Sequence, residues 1–214
     1  MKAQQRNMLI AGTALLLAFT ALAIADKYTT ILRSYDGYIA YFMRHISPEL
    51  TYALSLISAI ASIACVWACA LLFTVLALTI GKRFRYLIPQ LIISLLIAEV
   101  LTALTKLLVG VPRPSVAGIG DAILSTNSLT SITELMSYPS GHVARFTVLT
   151  YTLRKVSGAA AALLYVLIPV IATSRVLLNE HYCIDVVGGF LLGLGISLVA
   201  DSLASRVPGE AKRW

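Results

Sequence analysis

Charge is what this sequence most lacks: only 13% of its 214 residues are Asp, Glu, Lys or Arg, against about a quarter in an ordinary soluble domain. Hydrophobic residues make up 58% of the chain, and its mean hydropathy is +0.85. Together these features make lipid the solvent. Cysteine is scarce too. Cys65, Cys69 and Cys183 make no disulfide framework, and the first two sit in an apolar run where a thiol behaves as a small hydrophobe. CxxC, HExxH and paired Asp motifs are missing, so the sequence offers no metal site and asks for no cofactor. Acidic residues are outnumbered, ten against seventeen basic, for a net charge of +7. No Lys/Arg stripe with interleaved aromatics accompanies that excess, which argues against nucleic acid as a partner. Positively charged loops beside a membrane and anionic headgroups explain it better. Nothing marks an obligate protein partner.

What is present is a series of apolar runs. Residues 8–25 follow Lys2 and Arg6 and resemble a signal peptide, with Ala23-Ile24-Ala25 as a possible cleavage site. At about 18 residues the run also has the length of a membrane span, and a retained first helix is expected. Further runs cover 50–80, 86–109, 141–153, 157–178 and 184–203, with Pro89 in the first turn of the third and Pro169 inside the fifth. The expected fold is all-α: a polytopic membrane bundle of six transmembrane helices, forming one domain over 1–214. Between the first two runs, 26–49 carries Tyr28, Tyr35, Tyr38, Tyr41, Phe42 and His45 among mixed charges. That composition predicts an interfacial helix, either a simple anchor or an aid to lipid entry.

Counting basic residues on alternate sides sets the orientation. Ten (Lys2, Arg6, Lys82, Arg83, Arg85, Arg154, Lys155, Arg206, Lys212, Arg213) fall on one side and seven (Lys27, Arg33, Arg44, Lys106, Arg113, Arg145, Arg175) on the other. Four of the seven belong to the chemical clusters below. Both termini are therefore expected in the cytoplasm, with the clusters at the outer face of the plasma membrane.

Three clusters carry chemistry, all at span ends on that outer side. Lys106 precedes a Gly110-Val-Pro112 helix stop, after which Arg113-Pro114 can turn back toward it. Alone, such cations are ordinary snorkelling anchors. Tyr138-Pro139-Ser140-Gly141-His142 opens an apolar helix. Its N–H groups at Ser140, Gly141 and His142, the Ser140 hydroxyl and the helix dipole suit an anion. His142 is then placed for proton transfer, unless it is incidental to a capped helix. In the third cluster, Ser174-Arg175 precedes His181 and Asp185. The spacing of four puts imidazole and carboxylate on one helical face, as a loop ion pair or as an oriented nucleophile. Several charged groups on one side of a membrane protein point to function. Three cations, a helix N-terminus, an Asp-paired His and a second His have the inventory that phosphoryl transfer asks for.

Lys106-x6-Arg113-Pro114, Pro139-Ser140-Gly141-His142 and Ser174-Arg175-x5-His181-x3-Asp185 together resemble the three-part signature of the type 2 phosphatidic acid phosphatase superfamily. The match spans 106–185. The resemblance implies that His181 attacks phosphorus, forming a phosphohistidine, and that Asp185 orients it. It further implies that His142 protonates the leaving oxygen while Lys106, Arg113, Ser140, Gly141 and Arg175 hold the phosphoryl oxygens, with no metal. Arg145 gives a Ser-Gly-His-x-x-Arg variant similar to the polyisoprenoid diphosphate phosphatases, where a fourth cation would suit a diphosphate, although an Arg there could equally face a headgroup. Cys183 stands where the family often has Pro, and Glu180 beside the nucleophile is unusual. Glu99, two helical turns before Lys106, is an intramembrane acid that could neutralise a neighbour.

The expected substrate is a phosphorylated lipid, first a polyprenyl diphosphate cleaved to its monophosphate. Phosphatidic acid or phosphatidylglycerophosphate is the alternative within the class. A non-catalytic phospholipid-binding or transport protein is the alternative outside it, and would predict a broken signature. A vanadate-dependent haloperoxidase shares the pocket but belongs on a soluble scaffold.

Overall fold

The computed structural model describes residues 3–33, 47–81, 84–116 and 133–204. Among them are seven α-helices: α1 (Ala3–Tyr28), α2 (Pro48–Ala59), α3 (Ile63–Thr79), α4 (Leu87–Val109), α5 (Gly141–Leu153), α6 (Gly158–Leu177) and α7 (Cys183–Ala204). Most of the expected interfacial helix, with Tyr35, Tyr38, Tyr41, Phe42 and His45, lies outside the described residues, as does most of the loop 115–137.

Among the described residues, five helical runs are long and apolar enough to cross a membrane: α1, the combined run Pro48–Thr79, α4, α6 and α7. The expected run at 50–80 is not one straight helix. It breaks at Ile60–Ser62, where Ser62 adopts an extended conformation and its hydroxyl accepts the N–H of Cys65 at 3.2 Å. Ser47 caps α2 in the same way, accepting from Leu50 N–H at 3.3 Å. A serine that caps a helix starts a new one, and this local bond outweighs the continuous apolar pattern. The sixth expected span, α5, has 13 residues, about 20 Å of helix against about 30 Å of hydrocarbon. It need not face lipid. From Gly141 to Thr152 every residue but His142 is buried, enclosed by α3, α4, α6 and α7.

Small residues set how closely the helices approach. A Cβ on Gly193 of α7 would collide with the Ala144 carbonyl of α5 and sit 2.9 Å from Thr147 Cβ, and one on Gly189 would strike the Ser140 carbonyl. A Cβ on Gly12 of α1 would lie 2.9 Å from Val199 Cγ2 and 3.0 Å from the Gly195 carbonyl of α7. Lipid tails are as apolar as leucine, so such close backbone packing is what holds membrane helices together. The Leu71, Leu72, Leu108, Leu163 and Val166 side chains point outward, where lipid would lie.

The two ends of the bundle differ. At one end Asp201 of α7 accepts hydrogen bonds from Tyr151 Oη at 2.9 Å, Arg154 Nη2 at 3.1 Å and Lys155 Nζ. Lys155 also reaches Gln90 of α4 at 3.0 Å. These contacts tie together the cationic end of the expected cytoplasmic side. The other end carries all three clusters.

The α5–α7 seam generates a direct prediction. Gly193→Ala should lower the thermal unfolding midpoint in detergent by roughly 3–10 °C, the expected effect of overpacking a tight contact. Gly158→Ala, at a position with nothing within 4 Å, should leave it unchanged.

Candidate active site

Helix α4 delivers the first cation. Gly110 ends it in a left-handed conformation (φ 69°), donating its N–H to the Lys106 carbonyl, which a residue with a Cβ would adopt only under strain. The chain beyond forms a clip with the segment before α5: Pro112 bridges Met136, Ser137 N–H reaches the Val111 carbonyl at 2.8 Å, and Arg113 N–H reaches the Leu135 carbonyl at 2.9 Å. Buried Lys106 braces the clip, with Nζ donating to the Thr133 and Met136 carbonyls at 3.0 and 2.8 Å. An ammonium has three hydrogens, so one remains for a ligand.

The clip leads into α5. Ser140 occupies the N-cap position, but its hydroxyl makes no capping bond and, although fully buried, has no partner among the described residues. A buried hydroxyl left this way is available to a ligand. The Gly141 and His142 N–H groups lie in the first turn, where helices lack internal acceptors. One expectation needs correction. The Ser140 N–H is not free for an anion, because it donates to the Asp185 carbonyl at 2.9 Å and joins the start of α5 to the start of α7.

At that junction stands the expected His–Asp pair. His181 Nδ1 lies 3.3 Å from Asp185 Oδ2. The same oxygen accepts Tyr182 N–H at 2.7 Å and the Ser137 hydroxyl. The His181 and Asp185 side chains are 1% and 0% exposed, so solvent does not compete for the bond. A carboxylate held by three donors fixes the Nδ1–H tautomer of His181 and leaves the lone pair on Nε2. The sequence reading paired His181 with Asp185 but missed Ser137. Its place immediately before the Tyr-Pro-Ser-Gly-His motif is the only signal it gives.

Around this pair gather the arginines. Arg175, from the last turn of α6, donates Nη1 to the Ser58 hydroxyl at 2.7 Å, at the end of α2. Its Nη2 lies 3.5 Å from Glu180 Oε2, the same oxygen that pairs with Arg113 Nη1. Arg145 lies behind Gly141, with Nη2 2.9 Å from where a Gly141 Cβ would stand. It pairs in bidentate fashion with Glu99, at 2.7 and 3.0 Å, and sends Nη1 toward the Ala61 carbonyl at 3.4 Å. Glu99 thus neutralises a neighbour, and that neighbour is Arg145. His142 is half-buried at the mouth, within electrostatic reach of Arg175, Arg145, His181 and Arg113. Cys183 is exposed at the start of α7. No three His, Cys, Asp or Glu side chains converge among the described residues.

Burial, reinforced by Lys106, Arg175 and Arg113, holds the His181 imidazole well below its ordinary ionisation range, against a smaller opposing effect of Glu180. The sign follows. A folded-state pKa beneath the unfolded value keeps His181 neutral as pH falls through about 6.5. The folding stability that this gives is complete above that pH and declines below it, because the unfolded chain takes up a proton that the folded chain refuses. Histidine 15N NMR in micelles, assigned with His181→Gln, should show a His181 ring that stays neutral well below the ordinary imidazole range. A titration centred near pH 6.5 would contradict the buried-pair geometry.

Comparison of the sequence with curated proteins found no match. Among solved structures, the chain is similar to the crystal structure of a transmembrane PAP2 type phosphatidylglycerolphosphate phosphatase from Bacillus subtilis. The two are 21% identical, with a TM-score of 0.71 over 93% of this chain and 98% of that one. The PAP2 superfamily pattern matches residues 88–206, from α4 through α7 and therefore across all three clusters. By that match over more than half of its length, this integral membrane chain belongs to the PAP2 superfamily.

Proposed function

We propose that the protein is a lipid phosphate monoester phosphatase acting through a phosphohistidine on His181. The observation that carries this reading is the buried His181 Nδ1–Asp185 Oδ2 contact at 3.3 Å, flanked by the unbonded Ser140 hydroxyl and the Arg113 and Arg175 guanidiniums. In the proposed sequence, the Nε2 lone pair of His181 attacks phosphorus and the bond to the lipid oxygen breaks. His142 supplies that oxygen with a proton, releasing the lipid alcohol. Water, losing its proton to His142, then attacks the phosphohistidine. The N–P bond breaks, inorganic phosphate leaves and His181 is regenerated. Lys106, Arg113, Arg175, Ser140 and the Gly141 N–H stabilise the equatorial oxygens in both steps, and these cations take the part that metal ions play elsewhere.

The polyprenyl diphosphate reading draws on the expected outward-facing site, which a monoester phosphatase would share, and on Arg145 as a fourth cation. With its charge matched by Glu99, that support falls away, and a monoester becomes the first candidate. The similar fold of a phosphatidylglycerolphosphate phosphatase makes that lipid the first to test. We further propose that α5 serves as a sixth, shielded span of a single domain over 1–214, that both termini are cytoplasmic, and that the site opens at the outer face of the plasma membrane. The basic-residue count supports that orientation.

Purified protein in detergent with EDTA should release phosphate from phosphatidylglycerophosphate and phosphatidic acid faster than from a polyprenyl diphosphate. His181→Ala should lower the rate by roughly 10³-fold or more. Preferred cleavage of the diphosphate would restore the polyprenyl reading. Release that EDTA abolishes would overturn metal independence. No release from any of the three by folded protein would favour a lipid-binding or transport role.

A further inference from the structure

One acidic side chain stands where no anion-binding site needs one. Glu180 immediately precedes the nucleophile, and its Oε2 is shared between Arg113 Nη1 and Arg175 Nη2. The placement follows from the backbone. Asn179 takes a left-handed conformation (φ 58°) just past the end of α6, and the Glu180 N–H donates to the Arg175 carbonyl at 3.1 Å. That tight turn points the carboxylate back over the two guanidiniums. These are the groups assigned above to the phosphoryl oxygens, so Glu180 sits where part of the substrate would sit. Resting on the phosphatase reading of this site, we propose that Glu180 is a resident competitor for the phosphoryl pocket, admitting dianionic phosphomonoesters and turning away monoanionic phosphodiesters.

The reasoning is one of charge. An empty pocket holding Arg113, Arg175 and Lys106 would leave three cations facing one another near membrane depth, where unmatched charge is costly. The carboxylate satisfies two of them while the pocket is empty. To enter, a ligand must replace a single negative charge that is already covalently attached and correctly aimed. A phosphomonoester brings about two charges and three acceptor oxygens and can win that exchange. A phosphodiester headgroup brings one charge and two free oxygens, offers the arginines little more than Glu180 already does, and has to displace a tethered rival. Bulk membrane phospholipids are phosphodiesters, so a bare cationic pocket opening on a bilayer would be occupied by them. Glu180 therefore sets specificity by repulsion as well as attraction. It is a specificity-determining residue, not one that touches the reacting atoms. The Glu180 and Arg113 side chains are 35% and 18% exposed, so solvent moderates the effect.

The test separates binding from turnover. Inorganic phosphate binding to wild type, Glu180→Gln and Glu180→Ala would be measured by calorimetry in detergent, with thermal midpoints confirming that each variant is folded. Phosphatidylglycerophosphate hydrolysis would be measured in mixed micelles with increasing phosphatidylglycerol, a phosphodiester. Both variants should bind phosphate roughly 3–30-fold more tightly than wild type. Both should also show a lower KM without phosphatidylglycerol, and inhibition by that lipid at mole fractions that leave wild type unaffected. Phosphate affinity equal to or weaker than wild type, or no new sensitivity to phosphatidylglycerol, would overturn the role of Glu180 while leaving the phosphatase reading standing. Failure of all three proteins to bind phosphate or cleave the lipid would instead remove the phosphoryl pocket itself, and the inference with it.

Discussion

A single backbone hydrogen bond, from the Ser140 N–H to the Asp185 carbonyl at 2.9 Å, joins the two halves of the chemistry. On one side of it lie the free donors of the α5 N-terminus. On the other lie His181 and Asp185. The bond exists because α7 comes within backbone distance of α5, and that approach exists because positions 189 and 193 carry no Cβ. A side chain at either position would push the helices apart by more than a hydrogen bond tolerates. The anion pocket and the His–Asp pair would then be two unrelated features at neighbouring helix ends. The arrangement of the candidate site is thus a consequence of helix packing more than of any one polar residue.

Charged groups within the bundle gather in local clusters, each with at least one carboxylate. Arg145 has Glu99, Arg33 has Asp26 at 2.9 Å, and Lys155 and Arg154 have Asp201. In each case the partner comes from the same end of the membrane, as the desolvation cost of an isolated ion requires. Around His181 three cations gather. Among the described residues, Arg113 and Arg175 share one carboxylate, and Lys106 makes its hydrogen bonds to neutral carbonyls. Positive charge is in excess there, as it is where Arg154 and Lys155 share Asp201, but only there does it surround a buried His–Asp pair. A preformed excess of this kind stabilises charge that develops in a reaction without having to reorganise for it.

The sequence made the site's membership legible because its parts are short-range patterns. A glycine stop after Lys106, a Pro-Ser-Gly helix start before His142 and a spacing of four between His181 and Asp185 each have a local physical meaning. What stayed hidden depends on residues far apart in the chain. Arg145 and Glu99 are 46 positions apart, so nothing in the spacing shows that the apparent fourth phosphate cation is already paired. Ser58 meets Arg175 across 117 positions, and only the break in the second apolar run brings it there. The length of the 50–80 run points to a tilted or extramembrane portion, but its hydropathy does not locate the break, which the capping hydroxyl of Ser62 decides. The shortness of α5 was plain from its 13 residues. Its enclosure by four other helices was not, because periodicity reports which face is apolar and not what covers it.

The packing of α1 against α7 also sets an order of events during synthesis. The Tyr138 ring stacks on Phe19 at 5.6 Å, and its hydroxyl donates to the Phe19 carbonyl at 2.9 Å, while Gly12 meets Gly195 near the other end of the chain. Among the described helices, α1 must therefore wait in the bilayer for α7. Until α7 arrives, the growing chain has its lysine, its arginines and the open N-terminus of α5, but neither His181 in place nor Asp185 to hold it. On the proposed reading, an unfinished polypeptide would attract phosphorylated lipid without being able to cleave it. On that reading, turnover would wait until α1 and α7 have met.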